Sequence, residues 1–478
     1  MGRADRKKRT DHERKRPVQA AMDARPPAHL HTRRQREDIG RALRESCTRE
    51  SHAEWSPPSG RADPVVILQE SSKGRVARLV PIRYGRMVAS PFAFYRGAAA
   101  IMAGDLAATP ATGYMVQACG DCHLLNFGAF ATPERRIIFD INDFDETFPA
   151  PWEWDLKRLA ASFVLASLAN GHSPDDARAA ARSVVLHYAE ELRGLAGRTV
   201  LDAWYSYLDY NELIALTEDK VLRRRRKQVL RQAMERTATR EFAKLGQLVD
   251  GKPRIREAPP LIYHPDQDEE PGFADVIARN FALYRESLPG ERRALYDRYE
   301  LADVAMKVVG VGSVGLVCAI GLFFASESDV LFLQVKQARQ SVLEPHTEAS
   351  PFASHGERVV VGQRLMQAAS DLFLGHMVGV RRRHFYVRQL RDVKVRPMVE
   401  VFSPANMRGF ARNCAWALAR AHARSADAAV IAGYIGRGTV LAEAIASFSM
   451  AYAEQNGRDH ASLVEAVRDG RVDAIFED

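Results

Sequence analysis

The chain is 478 residues long, too long for one small core, and its 46% hydrophobic and 27% charged residues are an ordinary globular balance. That balance excludes a wholly disordered, collagenous or membrane-embedded polypeptide. Five cysteines exclude a disulfide scaffold and fit a reducing compartment. The net charge of +8 is concentrated at one end: residues 1–60 hold 15 Lys/Arg against 9 Asp/Glu, which leaves +2 for all the rest.

The N-terminal stretch carries Arg3, Arg6, Lys7, Lys8, Arg9, Arg14, Lys15 and Arg16, followed by Pro17, Pro26 and Pro27. It has too few apolar side chains to offset the entropy of ordering, so residues 1–38 are expected to be a disordered, solvated extension. The other reading is an electrostatic arm for nucleic acid or an acidic membrane; elsewhere the charge balance gives no reason to expect a nucleic-acid partner. No apolar segment of secretory length is present, and the protein is expected in the cytoplasm.

Residues 39–260 are expected to form a helical lobe interrupted by two loops. Helical spacing covers residues 40–110, with Ser90 and Pro91 suited to N-cap and first helical position. A short strand at Tyr114–Ala118 then leads into Cys119-Gly-Asp-Cys-His-Leu-Leu-Asn126, and Arg136-Ile-Ile-Phe139 leads into Asp140-Ile-Asn-Asp-Phe-Asp-Glu146. Helical spacing resumes from Asp155 to about Arg240, and Pro, Asp and Glu at 250–272 mark a boundary. Residues 261–300 are expected to be a linker with a helix.

Residues 301–400 read as a β-rich unit. Val308–Ala325 is uncharged and of nearly membrane-spanning length, but Gly310, Gly312, Gly315 and Gly321 are poor helix formers. Strands at Val304–Val309, Leu316–Phe324 and Val330–Lys336 explain it better, and no membrane span is expected. A helix at Glu357–Leu374 and a strand at His384–Arg388 follow. Residues 401–478 are Ala-rich and helical.

Three motifs point to one chemistry. Phosphoryl transfer needs a carboxylate to take the proton of the attacking hydroxyl and an amide oxygen on a metal; protein kinases place the two at the spacing of Asp121 and Asn126. Ordinary turn chemistry is the alternative. Asp140, Asp143 and Asp145 repel one another unless exposed or bound to a cation, and Asp143-Phe-Asp145 is one residue from the Asp-Phe-Gly that holds Mg²⁺. All three carboxylates, with Asn126, are therefore candidate metal ligands. The third motif is Gly310-x-Gly312-x-x-Gly315, with Ser313 inside it, followed by Lys336 at the end of a strand: amides that approach phosphates closely, and a cation for the α/β-phosphates. A dinucleotide-binding turn would need a helix directly after Gly315, with Glu327 or Asp329 as its acidic residue. Cys119-x-x-Cys122-His123 also satisfies a haem-attachment pattern, but lacks an export signal, and a zinc site would need two more ligands.

Asp121–Asn126, Asn142–Thr147, Trp152-Glu-Trp-Asp-Leu-Lys-Arg158, Ser90–Gly97, Gly310–Gly315 and Gly362–Asp371 closely resemble the bacterial family catalogued as domain of unknown function 2252, a name that carries no activity. Gly120-Asp121, His123, Asn126, Asp143-Phe144-Asp145 and Trp154-Asp155-Leu156 also resemble, more distantly, motifs of aminoglycoside phosphotransferases and choline kinases, with Cys119 departing from their leading His. This resemblance implies Asp121 as base, Asn126 and Asp143 as metal ligands, and Asp155 as structural. It also implies ATP and Mg²⁺ as cofactors and a two-lobed, protein-kinase-like α+β fold. Because the glycine turn and Lys336 come after the catalytic loop, the fold is expected to be circularly permuted. Glu357 is the expected ion-pair partner of Lys336, with Glu344 as alternative. The expected function is ATP/Mg-dependent phosphotransfer to a small-molecule hydroxyl. A non-catalytic nucleotide-binding regulator and a nucleotide-dependent oxidoreductase are the alternatives.

Overall fold

The computed structural model describes residues 31–235, 242, 244–266, 271–308, 310–390 and 393–476. Helix α1 (Arg33–Ala42) opens this region, capped by Thr32, whose hydroxyl and backbone N–H exchange bonds with Gln35. That capping box satisfies two otherwise orphaned donors, so residues 33–38 are helical and the expected disordered stretch does not reach 38; its first thirty residues lie outside the described ones. Helices α2 (Pro64–Ser72), α3 (Val80–Val88), α4 (Pro91–Gly97) and α5 (Ala99–Ala107) follow. Ser90 caps α4 as expected, accepting from the Ala93 amide at 3.1 Å with Pro91 at the first position.

The two loops sit among short strands: β1 (Met115–Ala118), β2 (Phe127–Ala131), β3 (Ile137–Ile141) and β4 (Phe148–Pro151). β1 pairs with β4, and β2 with β3, both antiparallel, with Phe127 opposite Ile141. This hairpin returns the residues after Ile141 to Asn126. Helix α6 (Trp152–Ala169) and helix α7 (Pro174–Ala196) come next. Trp152 and Tyr188 stack with ring centroids 5.9 Å apart, and both tryptophans of α6 are buried, as expected of packing residues.

β5 (Leu208–Asp209) pairs with β3 and extends the first hairpin. The hairpin of β6 (Gly246–Val249) and β7 (Lys252–Ile255) precedes β8 (Ile262–Tyr263), helix α8 (Phe273–Arg285) and β9 (Glu300–Lys307). Then come β10 (Cys318–Ser326), β11 (Asp329–Ala338), α9 (His355–Met366), β12 (Gly375–Val378), β13 (His384–Gln389) and β14 (Lys394–Val395). Among the described residues, β12-β13-β11-β10-β9-β8 form a six-stranded sheet, antiparallel throughout, and β14 joins β2. The uncharged stretch is thus a glycine loop and a strand. β10 is buried on both faces: Ala319 and Phe323 face a cluster with Phe281 of α8, while Ile320 and Leu322 face Ile255 and Phe332. Burial of both faces explains its unbroken apolar run. No single described helix is long and apolar enough to cross a membrane.

Two boundaries differ from expectation. β8 pairs with β9 and α8 packs on the same sheet, so the stretch expected as a linker belongs to the β-rich unit. The helix expected at Glu357–Leu374 stops at Met366, because Gln367 turns extended and donates to the Ile141 carbonyl at 2.7 Å. Helices α10 (Pro404–Ala423), α11 (Ala428–Ile435) and α12 (Thr439–Arg468) complete a largely helical core with α6, α7 and the β1–β4 segment. A side chain at Gly40 or Gly433 would collide with the facing backbone, so glycine is what lets α1 and α11 touch.

At the sheet edge His264 bridges Glu257 (2.7 Å) and Asp303 (2.9 Å). The Asp303 bond raises the imidazole pKa and, with Glu257, outweighs burial; burial would raise Asp303, but the His264 bond and charge together with the Ile255 and Val304 amides outweigh it and hold it low. A raised folded-state pKa gives stability that is fully present below about pH 6.5 and fades as pH climbs through the raised value. The carboxylate contribution is lost below about pH 4. Chemical-denaturation midpoints of wild type and His264→Gln are therefore expected to differ most between these limits and to converge in alkaline buffer.

Candidate functional site

The loop between β1 and β2 is held from α6. Asp155 accepts the amides of Cys119 (2.6 Å) and Gly120 (2.9 Å) and faces His422 Nε2 at 3.3 Å. Gly120 has φ +83, and a Cβ there would strike the Glu146 carbonyl, so the turn demands glycine. One helical turn beyond Asp155, buried Arg158 donates through Nε to Asp121 Oδ1 at 2.9 Å. The Asp121 side chain keeps 23% of its surface exposed, facing a cavity of about 680 Å³. Asn126 Nδ2 donates to the Asp121 carbonyl at 2.6 Å, which leaves its amide oxygen available to a ligand. His123 is buried with Nε2 3.9 Å from Asp121; burial outweighs that carboxylate and pushes the ring down to about 4, so it stays neutral.

Cys119 donates its thiol toward the Asp143 carbonyl at 3.6 Å and so joins the two loops. Cys119, Cys122 and Asp155 lie close together, but Asp155 already holds two amides. The bond between the thiols lowers Cys119, but burial and the charges of Asp155, Asp121 and Asp143 together outweigh it and take it to about 11; burial raises Cys122 well above its ordinary value. Both thiols are fully buried, and among the described residues Asp155 alone joins them, one ligand short of a four-coordinate zinc site.

In the second loop the structure separates the three aspartates. Asp140 is not in the cavity: it and Arg420 are each 1% exposed, and Arg420 Nη2 reaches both its oxygens at 2.9 and 3.0 Å. The strand alternation of β3 turns Asp140 inward, so it is an internal ion pair and not a metal ligand. Asp145 Oδ2 accepts Lys336 Nζ at 2.6 Å, and its Oδ1 accepts the Tyr386 hydroxyl at 2.6 Å, so both oxygens are engaged. Asp143, 40% exposed, lies 3.9 Å from Lys336. Burial would raise its carboxyl, but Lys336, Arg388 and Lys394 outweigh it and hold it below the usual range. Asp143 and Asn126 are thus the residues whose oxygens suit a hard cation.

Lys336 is 4% exposed and takes its partner from this loop, not from α9. Glu357 accepts the Ala353 amide at 3.1 Å and receives Ser354 as its cap, because it sits in the first turn of α9. Glu344 accepts the Ser350 amide at 3.3 Å. The residue that α9 does send inward is Arg358, which donates to the carbonyls of Asp145 (2.8 Å) and Thr147. Arg358, Tyr386 and Glu146 escaped sequence reasoning, since no spacing links them; Arg158 carried a signal, three residues after Asp155 on one helix face.

Gly310 (φ +69) and Gly315 (φ +84) adopt left-handed backbone, and Gly310, Gly312 and Ser313 line the same cavity as Asp121, Asn126 and Asp143. The turn after α2 and helix α3 clamp the loop: Arg75 donates to the Val314 carbonyl at 2.6 Å, Val76 N–H to the Gly315 carbonyl at 2.7 Å, and Arg86 to the Gly310 carbonyl. A strand, β10, follows the loop, so the helix a dinucleotide turn requires is missing from that position.

The family model described as "Uncharacterized protein conserved in bacteria (DUF2252)" matches residues 75–466. No curated protein and no solved structure matches the chain.

Proposed function

We propose that this chain, which belongs to the bacterial family of uncharacterized proteins DUF2252, is an ATP- and Mg²⁺-dependent phosphotransferase acting on a small-molecule hydroxyl, with a circularly permuted kinase-like arrangement. One observation carries the reading. Lys336, from the late six-stranded sheet, lies 2.6 Å from Asp145 and 3.9 Å from Asp143 of the early loop, beside a cavity that Asp121, Asn126 and the glycine loop share.

In this reading Asp121 accepts the proton of the acceptor hydroxyl as that oxygen attacks the γ-phosphorus of ATP and the bond to the β-phosphate oxygen breaks, releasing ADP; Arg158 fixes the carboxylate's orientation. Lys336 lends positive charge to the α/β-phosphates, and the backbone of Gly310–Gly315 covers them. Asn126 and Asp143 would hold the metal. Bound magnesium would supply charge against the phosphates. The geometry of the loops supports these roles because phosphoryl transfer depends on positioning and electrostatics more than on covalent chemistry.

Lys336→Met is expected to weaken Mg-ATP binding by about tenfold or more, read by calorimetry; unchanged ATP affinity would sink the glycine-loop assignment. Thermal-shift scans with ATP, ADP and NAD should respond to the adenine nucleotides with Mg²⁺. A second reading, nucleotide binding without transfer, is favoured by Arg158, whose guanidinium occupies one oxygen of Asp121. It predicts ATP binding with no transfer to any acceptor.

A further inference from the structure

The cavity has a wall that the chemistry above does not use. Arg75 after α2, Arg83 on α3, Arg96 on α4 and Arg339 after β11 all line it. Among the described residues, the hydrogen bonds of Arg75, Arg83 and Arg339 go to neutral acceptors. Arg75 donates to the carbonyls of Ser71 (3.0 Å) and Val314 (2.6 Å). Arg83 donates to the Ser72 hydroxyl (2.7 Å) and the carbonyls of Leu68 and Gly97. Arg339 donates to the Ser71 carbonyl at 3.1 Å. The Nε atoms of Arg83 and Arg96 are buried without any partner, and Arg83 as a whole is only 2% exposed.

Burial, then repulsion from Arg83 and Arg339, brings Arg75 down to about 9; burial brings Arg83 to about 10. Glu146 across the cavity opposes them weakly, because burial lifts its own carboxyl to about 7, leaving it half-neutral near neutral pH. Four guanidiniums in one desolvated wall with no carboxylate in ion-pair contact among the described residues cost free energy, which a bound polyanion offsets. Planar forks match phosphate oxygens pairwise, and a dianion balances the wall better than a single carboxylate. Burial lowers Arg96, against the charges of Asp121 and Glu400.

We infer that this wall is a seat for a phosphomonoester that also bears a hydroxyl, its phosphate on Arg75, Arg83, Arg96 and Arg339 and its hydroxyl toward Asp121. That the seated molecule is the phosphoryl acceptor rests on the phosphotransferase reading; the anion seat itself does not. Such a wall repels cationic acceptors.

Calorimetry at fixed ionic strength tests it with glycerol 3-phosphate, glycerol and Mg-ATP as probes, on wild type, Arg96→Gln, Arg339→Gln and Lys336→Met. Both arginines are partly exposed, so these variants should fold, and melting curves check that. Wild type is expected to bind glycerol 3-phosphate and not glycerol. Each arginine variant should weaken that binding about tenfold at unchanged Mg-ATP affinity, and Lys336→Met should do the reverse. Absence of glycerol 3-phosphate binding overturns the seat. So does an equal loss of both ligands in the arginine variants, which would assign the wall to the nucleotide. Arginine-dependent binding of glycerol 3-phosphate without any Mg-ATP binding would uphold the seat and remove the kinase reading alone.

Discussion

Asp121→Asn is expected to lower turnover by about 10²–10⁴-fold while nucleotide affinity stays nearly unchanged. Asparagine is the informative substitution because it retains an oxygen for Arg158, which is buried and bonded to Asp121 Oδ1 at 2.9 Å. Alanine would strip the counter-charge from that buried guanidinium and the acceptor from its Nε, and would confuse lost chemistry with lost structure. The measurement is kcat at saturating nucleotide and acceptor, alongside nucleotide binding by calorimetry. Turnover equal to wild type would remove Asp121 as the base. A fall in nucleotide affinity matching the fall in rate would instead assign Asp121 to the binding of phosphates or metal.

The second large effect is structural. Arg420→Met is expected to cost about 3–5 kcal/mol of folding stability, since it strips the partner from a carboxylate that has no access to water. Asp140 would keep the Ala368 amide at 2.8 Å and the adjacent Ile141 amide, but no ion-pair partner among the described residues, Arg424 acting on it only from beyond contact. The same guanidinium also donates to the Met366 carbonyl at 2.7 Å, so the substitution loosens the end of α9 as well as β3. Urea denaturation of the two proteins measures the difference. A loss below about 1 kcal/mol would mean that Asp140 finds water or a new donor in the variant, and that the pair contributes little net stability. β3 runs directly into Asn142–Glu146, so a partly folded variant should also bind nucleotide less well.

Much of the local organisation was readable along the chain. Glycine content separated the uncharged stretch from a membrane helix, and the position of Asp143 after an apolar run announced a hairpin returning to Asn126, which is the pairing of Phe127 with Ile141. Ser90-Pro91 marked a helix start for reasons confined to one turn. These features depend on neighbours within a few residues, where backbone propensity and capping operate. The approximate position of Asp121, Asn126 and Lys336 at one place also followed from the motifs.

What the chain alone determined, then, is which residue types can do chemistry and the short elements that carry them. Only the tertiary structure decided which carboxylate does what. Asp140, Asp143 and Asp145 are chemically equal in sequence, yet Arg420 claims the first, Lys336 and Tyr386 claim the third, and the second is left facing the cavity. Glu357 had the right charge to meet Lys336 but lies in the first turn of α9, while its neighbour Arg358 points inward. The four arginines of the unused wall come from segments on both sides of the Cys119–Asn126 loop and share no spacing. Charges separated by hundreds of residues acquire partners only when packing sets their distance and removes the water between them, because the strength of an ion pair depends on both.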